Sequence, residues 1–280
     1  MEVFRGRKLV IATKHRKELA IAGPLIAGLN ITPFVPEDFD SDQFGTFTGE
    51  IRRLGTPLEN ARKKAVLAAK RENATLAVAS EGSFGPHPTL PFVSSDEEVL
   101  LLIDLKNGYE IHASYLTHET NFCGSSIDRT ADLQTFSEEI GFPEHGIILK
   151  ANDRSGESYI FKDFPNTASL CQKANKLLEN QFRLSAETDM RAMNNPTRMR
   201  AIGEAAKILV EKVKSTCPGC SAPGYGVVET IIGLPCKQCR MPTRSIKARV
   251  YRCAYCGFTE EKINPKKIAE DPMYCDWCNP

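Results

Sequence analysis

The sequence predicts a mixed α/β domain joined to a small cysteine-rich module, and three observations carry that expectation. Strand-like and helix-like segments alternate over roughly the first 190 residues. An Asn107-Gly108 pair between two apolar runs marks an antiparallel hairpin. Eight of the ten cysteines fall as four Cys-x-x-Cys pairs after residue 216. Alternation brings parallel pairing and the hairpin brings antiparallel pairing, so the expected sheet is mixed and flanked by helices. The chain divides into a domain at 1–195, a connecting helix at 196–214 and the module at 215–280.

Lys8 to Thr13 is the first strand, followed by a helix from about His15 to Leu29 that Pro24 should kink or break. Ile31 to Val35 reads as the second strand. Thr56-Pro57-Leu58-Glu59 opens a helix running to about Glu72, with Thr56 as cap and Pro57 in the first turn. Ala74 to Ala79 is a short buried strand, and Val99 to Leu105 and Glu110 to Leu116 flank the hairpin turn. A helix near Leu133 to Ile140, strands at Ile147 to Lys150 and Tyr159 to Phe161, and a helix from Thr167 to Asn180 follow. The helix from Pro196 to Lys214 gathers Ile202, Ala205, Ala206, Leu209, Val210 and Val213 on one face, which should pack on the first domain.

Composition bounds the function. Hydrophobic content of 41% and charged content of 25% suit a folded globular chain and exclude a disordered one. A formal charge of +1 leaves no global field drawing the chain to nucleic acid or anionic lipid. No apolar run approaches the roughly 20 residues that span a bilayer, and the N-terminus reads straight into a strand. With paired cysteines of the metal-binding type, a cytoplasmic location and no membrane partner are expected.

The pairs are Cys217 and Cys220, Cys236 and Cys239, Cys253 and Cys256, and Cys275 and Cys278, separated by 15, 13 and 18 residues. Two such knuckles complete a tetrahedral zinc site, so eight cysteines predict two structural Zn2+ ions. Closed four-thiolate sites leave the ion no open position for chemistry. Three pairings are open. The stretch from Cys236 to Gly257 resembles a single zinc ribbon, which favours a nested arrangement with Cys217/Cys220 against Cys275/Cys278; a sequential arrangement also fits the spacing. From Ser215 to Pro280 nine Lys and Arg face six Asp and Glu, and two tetrathiolate sites offset that excess. Arg244, Lys247, Arg249 and Arg252 beside Tyr251 are the remaining candidates for contact with a nucleic acid or protein partner.

The first domain holds a second constellation. Asp38 to Glu50 combines carboxylates, glycines and hydroxyls without periodicity, and Ser80-Glu81-Gly82-Ser83 follows the Ala74 to Ala79 strand. Ligands collect at the carboxyl ends of such strands. Glu50 and Glu81 are the expected holders of Mg2+ or Mn2+, an ion that typically recruits substrate phosphates. Lys14, His15, Arg16 and Lys17 at the mouth of a helix supply cations for those phosphates. Lys63 and Lys64 lie on the next helix, and Arg191 and Arg198 supply planar donors near the domain's end.

These segments resemble the inosine triphosphatase and Maf-like nucleotide pyrophosphatase superfamily. Ile11-Ala12-Thr13 with Lys14 and His15 is similar to its opening strand and phosphate-binding turn. Gly55-Thr56-Pro57-Leu58-Glu59-Asn60-Ala61-Arg62-Lys63-Lys64-Ala65 is similar to its Thr-x-x-Glu-Asn-Ala-x-x-Lys-Ala helix, and Val78-Ala79-Ser80-Glu81-Gly82-Ser83 to its strand ending in acids and glycine. The departures are Ser80 and Glu81 where paired aspartates are common, and Arg52 where an acid stands, with Glu50 as its substitute. The whole chain also resembles an uncharacterised bacterial family that joins Gly-Thr-Phe-Thr-Gly-Glu and Ser-Glu-Gly-Ser-Phe-Gly-Pro-His-Pro motifs to a cysteine-rich tail.

The first resemblance implies an inosine triphosphatase-like fold, a homodimer and metal-dependent hydrolysis of nucleoside triphosphates or related nucleotides. Glu50, Glu81 and Glu59 are then the catalytic candidates, and Thr13, Lys14, Lys17, Asn60, Lys64, Ser83, Arg191 and Arg198 the substrate-binding ones. The alternative is a non-catalytic ligand-binding protein whose ribbons contact a nucleic acid or a protein.

Overall fold

The computed structural model describes residues 3–37, 39 and 55–280. It begins with β1 (Lys8–Ala12), α1 (Glu18–Leu29), β2 (Thr32–Phe34), α2 (Pro57–Arg71), β3 (Leu76–Pro86), β4 (Ser94–Asp104) and β5 (Tyr109–Thr117). These strands form one sheet in the order β2-β1-β3-β4-β5. β1 is parallel to both neighbours, while β3, β4 and β5 are antiparallel, so the sheet is mixed as expected.

The residues alternate across this sheet with the strand period of two. Leu9 and Ile11 join Val78, Leu100 and Leu102 in the core beneath α1, whereas Val10 and Ala12 join Ala77, Ala79 and Leu101 beneath α2. The chain therefore leaves β1 for β2 on one side, then crosses to β3 on the other. The carboxyl end of β1 is a topological switch point of the kind where α/β sheets open a crevice.

Three boundaries differ from expectation. Pro24 lies inside an unbroken α1, which is held against the helix over Pro196–Lys214 where Gly28 meets Val210. β3 does not stop at Ala79, because an uninterrupted antiparallel register pairs Leu76 with Asp104 and carries on to Pro86 with Ser94. For the same reason β4 starts five residues before Val99. The Ser80-Glu81-Gly82 segment is thus strand interior and not a turn. α2 begins as predicted: Thr56 and Glu59 form a reciprocal capping box.

The span 1–195 holds a second sheet with its own core. β6 (Gly124–Ile127), α3 (Thr130–Ile140), β7 (Ile147–Asn152), β8 (Ser158–Phe161), α4 (Thr167–Glu179) and β9 (Arg183–Thr188) follow in sequence. The strands pair in the order β6-β9-β7-β8, all antiparallel, around Leu133, Phe136, Leu149 and Leu170. α5 (Pro196–Lys214) then returns to the first sheet and buries Ile202, Ala205, Ala206, Leu209, Val210 and Val213 in the core shared with α1. This helix is a layer of the α/β unit as well as a connector.

The module adds β10 (Gly226–Ile232), β11 (Ile246–Arg252) and β12 (Thr259–Ile263) as an antiparallel meander. Gly224, with φ at +88°, passes so close to Ile111 of β5 that a Cβ would lie 2.8 Å from it, and Tyr255 meets Tyr109 edge-on at 5.4 Å. Among the described residues no helix is long and apolar enough to cross a membrane.

Candidate metal centres and a buried charge cluster

The meander decides how the knuckles pair. Gly226 lies opposite Arg252 and Ala248 opposite Ile263, so Cys217/Cys220 at the start of β10 meets Cys253/Cys256 at the end of β11. The Cys236/Cys239 knuckle after β10 meets Cys275/Cys278 beyond β12. The pairing is interleaved, which corrects the nested arrangement favoured by the sequence and also excludes the sequential one. Cys217 and Cys256 sulfurs stand 3.7 Å apart and Cys220 and Cys253 3.8 Å; the second cluster gives 3.9 and 3.5 Å. A tetrahedron with Zn–S arms of 2.3 Å has edges of about 3.8 Å, so both clusters fit zinc.

The knuckles repeat one another. Amides of Gly219, Gln238 and Cys256 donate to the sulfurs of Cys217, Cys236 and Cys253. Each of these three turns then closes through a residue with left-handed φ: Ser221, Arg240 and Gly257. Nearby, Arg249 and Tyr251 line a cleft of about 650 Å³ with Lys262, Lys266 and Arg244. Arg244 is paired with Asp276 at 3.0 Å, and Lys262 lies 4.8 Å over the Tyr251 ring.

The second site lies at the carboxyl end of β1. Thr13 is buried there, its hydroxyl accepting from the His15 amide at 3.3 Å, while Lys14 is exposed. Lys17, the residue before α1, turns inward and donates from Nζ to the Ser80 carbonyl at 3.2 Å and hydroxyl at 3.0 Å. On the opposite face of the sheet, Lys64 of α2 forms a buried ion pair with Glu81. Asn60, one turn earlier, is buried as well. Burial, then the charge of Arg198, depresses the Lys17 ammonium to about 7 against the pull of Glu98 and Glu81.

Arg198 enters from the first turn of α5. Its Nε donates to Glu98 Oε1 at 2.6 Å, another arm donates to the Met190 carbonyl, and the guanidinium lies 4.9 Å over Phe84. Desolvation opposes its charge, but Glu98 outweighs it and holds its pKa above the usual value. Gly82 makes room: a Cβ there would approach Arg198 Nη2 and Glu98 Oε1 to 2.5 Å each. Asp96 sits two residues before Glu98 on the same face of β4. Burial and then the Glu98 charge push its carboxyl up to about 7, with Arg198 and Lys17 opposing.

Lys17 meets Ser80 and Arg198 meets Glu98 on the α1 face of the sheet, whereas Lys64 and Glu81 pair on the α2 face. Ser83 is half-buried further along β3. Glu59 is exposed and accepts from the Thr56 amide at 2.7 Å, so it serves the helix start. Arg191 is committed elsewhere, to Asp189 at 2.7 Å and Asp163 at 2.6 Å. Glu50 and Arg52 lie outside the described residues. Sequence reasoning missed Asp96 and Glu98 because it started β4 at Val99. Their signal was the alternation they share with Leu100 and Leu102.

A family described as a domain of unknown function (DUF6671) matches residues 64–280. The chain belongs to that family. The matched stretch contains Lys64, Glu81, Asp96, Glu98, Arg198 and all eight knuckle cysteines, and it starts after β1 and Lys17. No curated protein matches the chain. The resemblance to inosine triphosphatases rests on the motifs alone.

Proposed function

We propose that the protein is a divalent-metal-dependent hydrolase of nucleoside triphosphates or related phosphorylated nucleotides. The observation that supports it is the placing of Lys17 and Arg198 with the buried carboxylates Asp96 and Glu98 on one face of the first sheet near its switch point, with the Lys64–Glu81 pair across the sheet behind them. A divalent ion, when bound, polarises a phosphoryl group and lowers the pKa of an attacking water. Lys17 and Arg198 neutralise charge on the phosphate oxygens in a site shielded from bulk water. The Ser80 carbonyl and hydroxyl aim the Lys17 ammonium, and Lys64 keeps Glu81 in a fixed place.

The test is a panel of nucleotides incubated with zinc-loaded protein and Mg2+ or Mn2+. Release of phosphate or pyrophosphate is expected, with a loss of at least about a hundredfold in E81Q, a size typical of removing one positioned charged group. Nucleotide binding without turnover in the wild type would instead favour the non-catalytic alternative. A nucleic-acid shift that depends on Arg249 would extend that alternative to the cleft of the module.

A further inference from the structure

We propose that Asp96 and Glu98, and not Glu81 with Glu50, hold a divalent cation of the Mg2+ or Mn2+ class. The inference deepens the hydrolase reading and rests on it for the ion's purpose. Asp96 is 1% exposed and Glu98 0% exposed. Both Asp96 oxygens and Glu98 Oε2 are buried and, among the described residues, without a hydrogen-bond partner, while Glu98 Oε1 is held by Arg198. A buried unpaired acceptor is costly, because it gives up its bonds to water and gains none in return. Folded chains seldom keep three within two residues unless a ligand completes them. An oxygen-seeking cation does so directly, because carboxylates and waters are its ordinary ligands.

Other buried carboxylates show the contrast. Asp104 receives Arg7 at 2.6 and 2.7 Å and the Asn107 side chain at 2.6 Å. Asp189 receives Arg191 and Asn194, and Glu270 receives Ser245, Lys267 and the Asp271 amide. Glu81 has Lys64 on Oε1. Glu98 Oε1 is taken by Arg198, which leaves Oε2 open on the same strand face as Asp96, two residues away.

The charge count points to the ion's companion. Lys17 and Arg198 already balance the two carboxylates, so a divalent ion adds two positive charges to a buried space. A phosphate ligand offsets them. Ion and phosphate should therefore strengthen each other's binding by the same factor.

The experiment titrates Mn2+ into full-length protein with both zinc sites filled, read by electron paramagnetic resonance, with and without inorganic pyrophosphate. The expected result is one Mn2+ per chain beyond the two zincs, bound at least about fivefold more tightly with pyrophosphate. D96N and E98Q should each weaken it at least about tenfold, and E81Q should change it far less. Absence of Mn2+ binding to millimolar concentration overturns the inference, as does wild-type binding in D96N. D96N loses no hydrogen bond among the described residues, so it stays informative if E98Q fails to fold. Asp96-dependent Mn2+ binding with no nucleotide turnover sinks the hydrolase reading and leaves the ion site. Metal-dependent turnover indifferent to D96N does the reverse.

Discussion

In the cysteine module each buried sulfur of Cys217, Cys236, Cys253 and Cys275 has three other sulfurs within 4.8 Å, whereas beneath α5 Asp96 and one oxygen of Glu98 lie buried with no donor among the described residues. Both regions place ligand-type groups in pairs on strands or knuckles. One set closes on itself at zinc dimensions, and a closed tetrahedron holds a fold. The other remains incomplete among the described residues. That difference separates a site that staples from one that receives.

The largest expected effect sharpens the first half of the comparison. Structural zinc contributes roughly 10–16 kcal/mol of apparent folding free energy in small modules. C253S should lower the zinc content from two to one per chain and unfold the end of the module beside Tyr109, as metal analysis and near-ultraviolet dichroism would show. C236S should spare that end, because the two clusters sit at opposite ends of β10. Equal loss at both ends would break the interleaved pairing.

Next in size is R198M, which removes the cation that donates to Glu98 Oε1 and leaves that carboxylate buried. A loss of about 3–5 kcal/mol in chemical denaturation is expected. A smaller effect follows from Lys17, whose ammonium is depressed to about 7 amid Arg198, Lys64, Glu98 and Glu81. Its charge is present below that pH and lost above it, so the affinity for pyrophosphate should fall as pH rises through 7. K17R should flatten that limb, since a guanidinium stays charged. The smallest is R240G: Arg240 holds φ at +66° where Gly257 fills the equivalent turn, and about 0.5 kcal/mol of stabilisation is expected by thermal melting.

Much of this was legible in the sequence. The capping box at Thr56, the Asn-Gly hairpin and the apolar stripe of α5 each depend on neighbours a few residues away, and each appears where local rules place it. The eight cysteines announced two zinc sites for the same reason. Their pairing was not local: it follows from three antiparallel strands between four knuckles, which put the odd knuckles at one end and the even ones at the other. The length of β3 and β4 escaped for a related cause. Glycines, serines and acids read as a turn until the long register between β3 and β4 makes them strand interior. Asp96 and Glu98 were hidden by that misreading. Arg198 was legible as a donor, but its partner lies a hundred residues away.

The most direct measurement is the thermal midpoint of zinc-loaded wild type and D96N, each with and without Mn2+. An asparagine at 96 removes a buried charge that accepts no hydrogen bond from the described residues, so D96N should be at least as stable as the wild type without Mn2+. Wild type should gain stability with Mn2+, about 2.7 kcal/mol at a hundred times the dissociation constant, while D96N stays flat. A D96N that is less stable without the ion, yet gains as much from it as the wild type, would contradict the account.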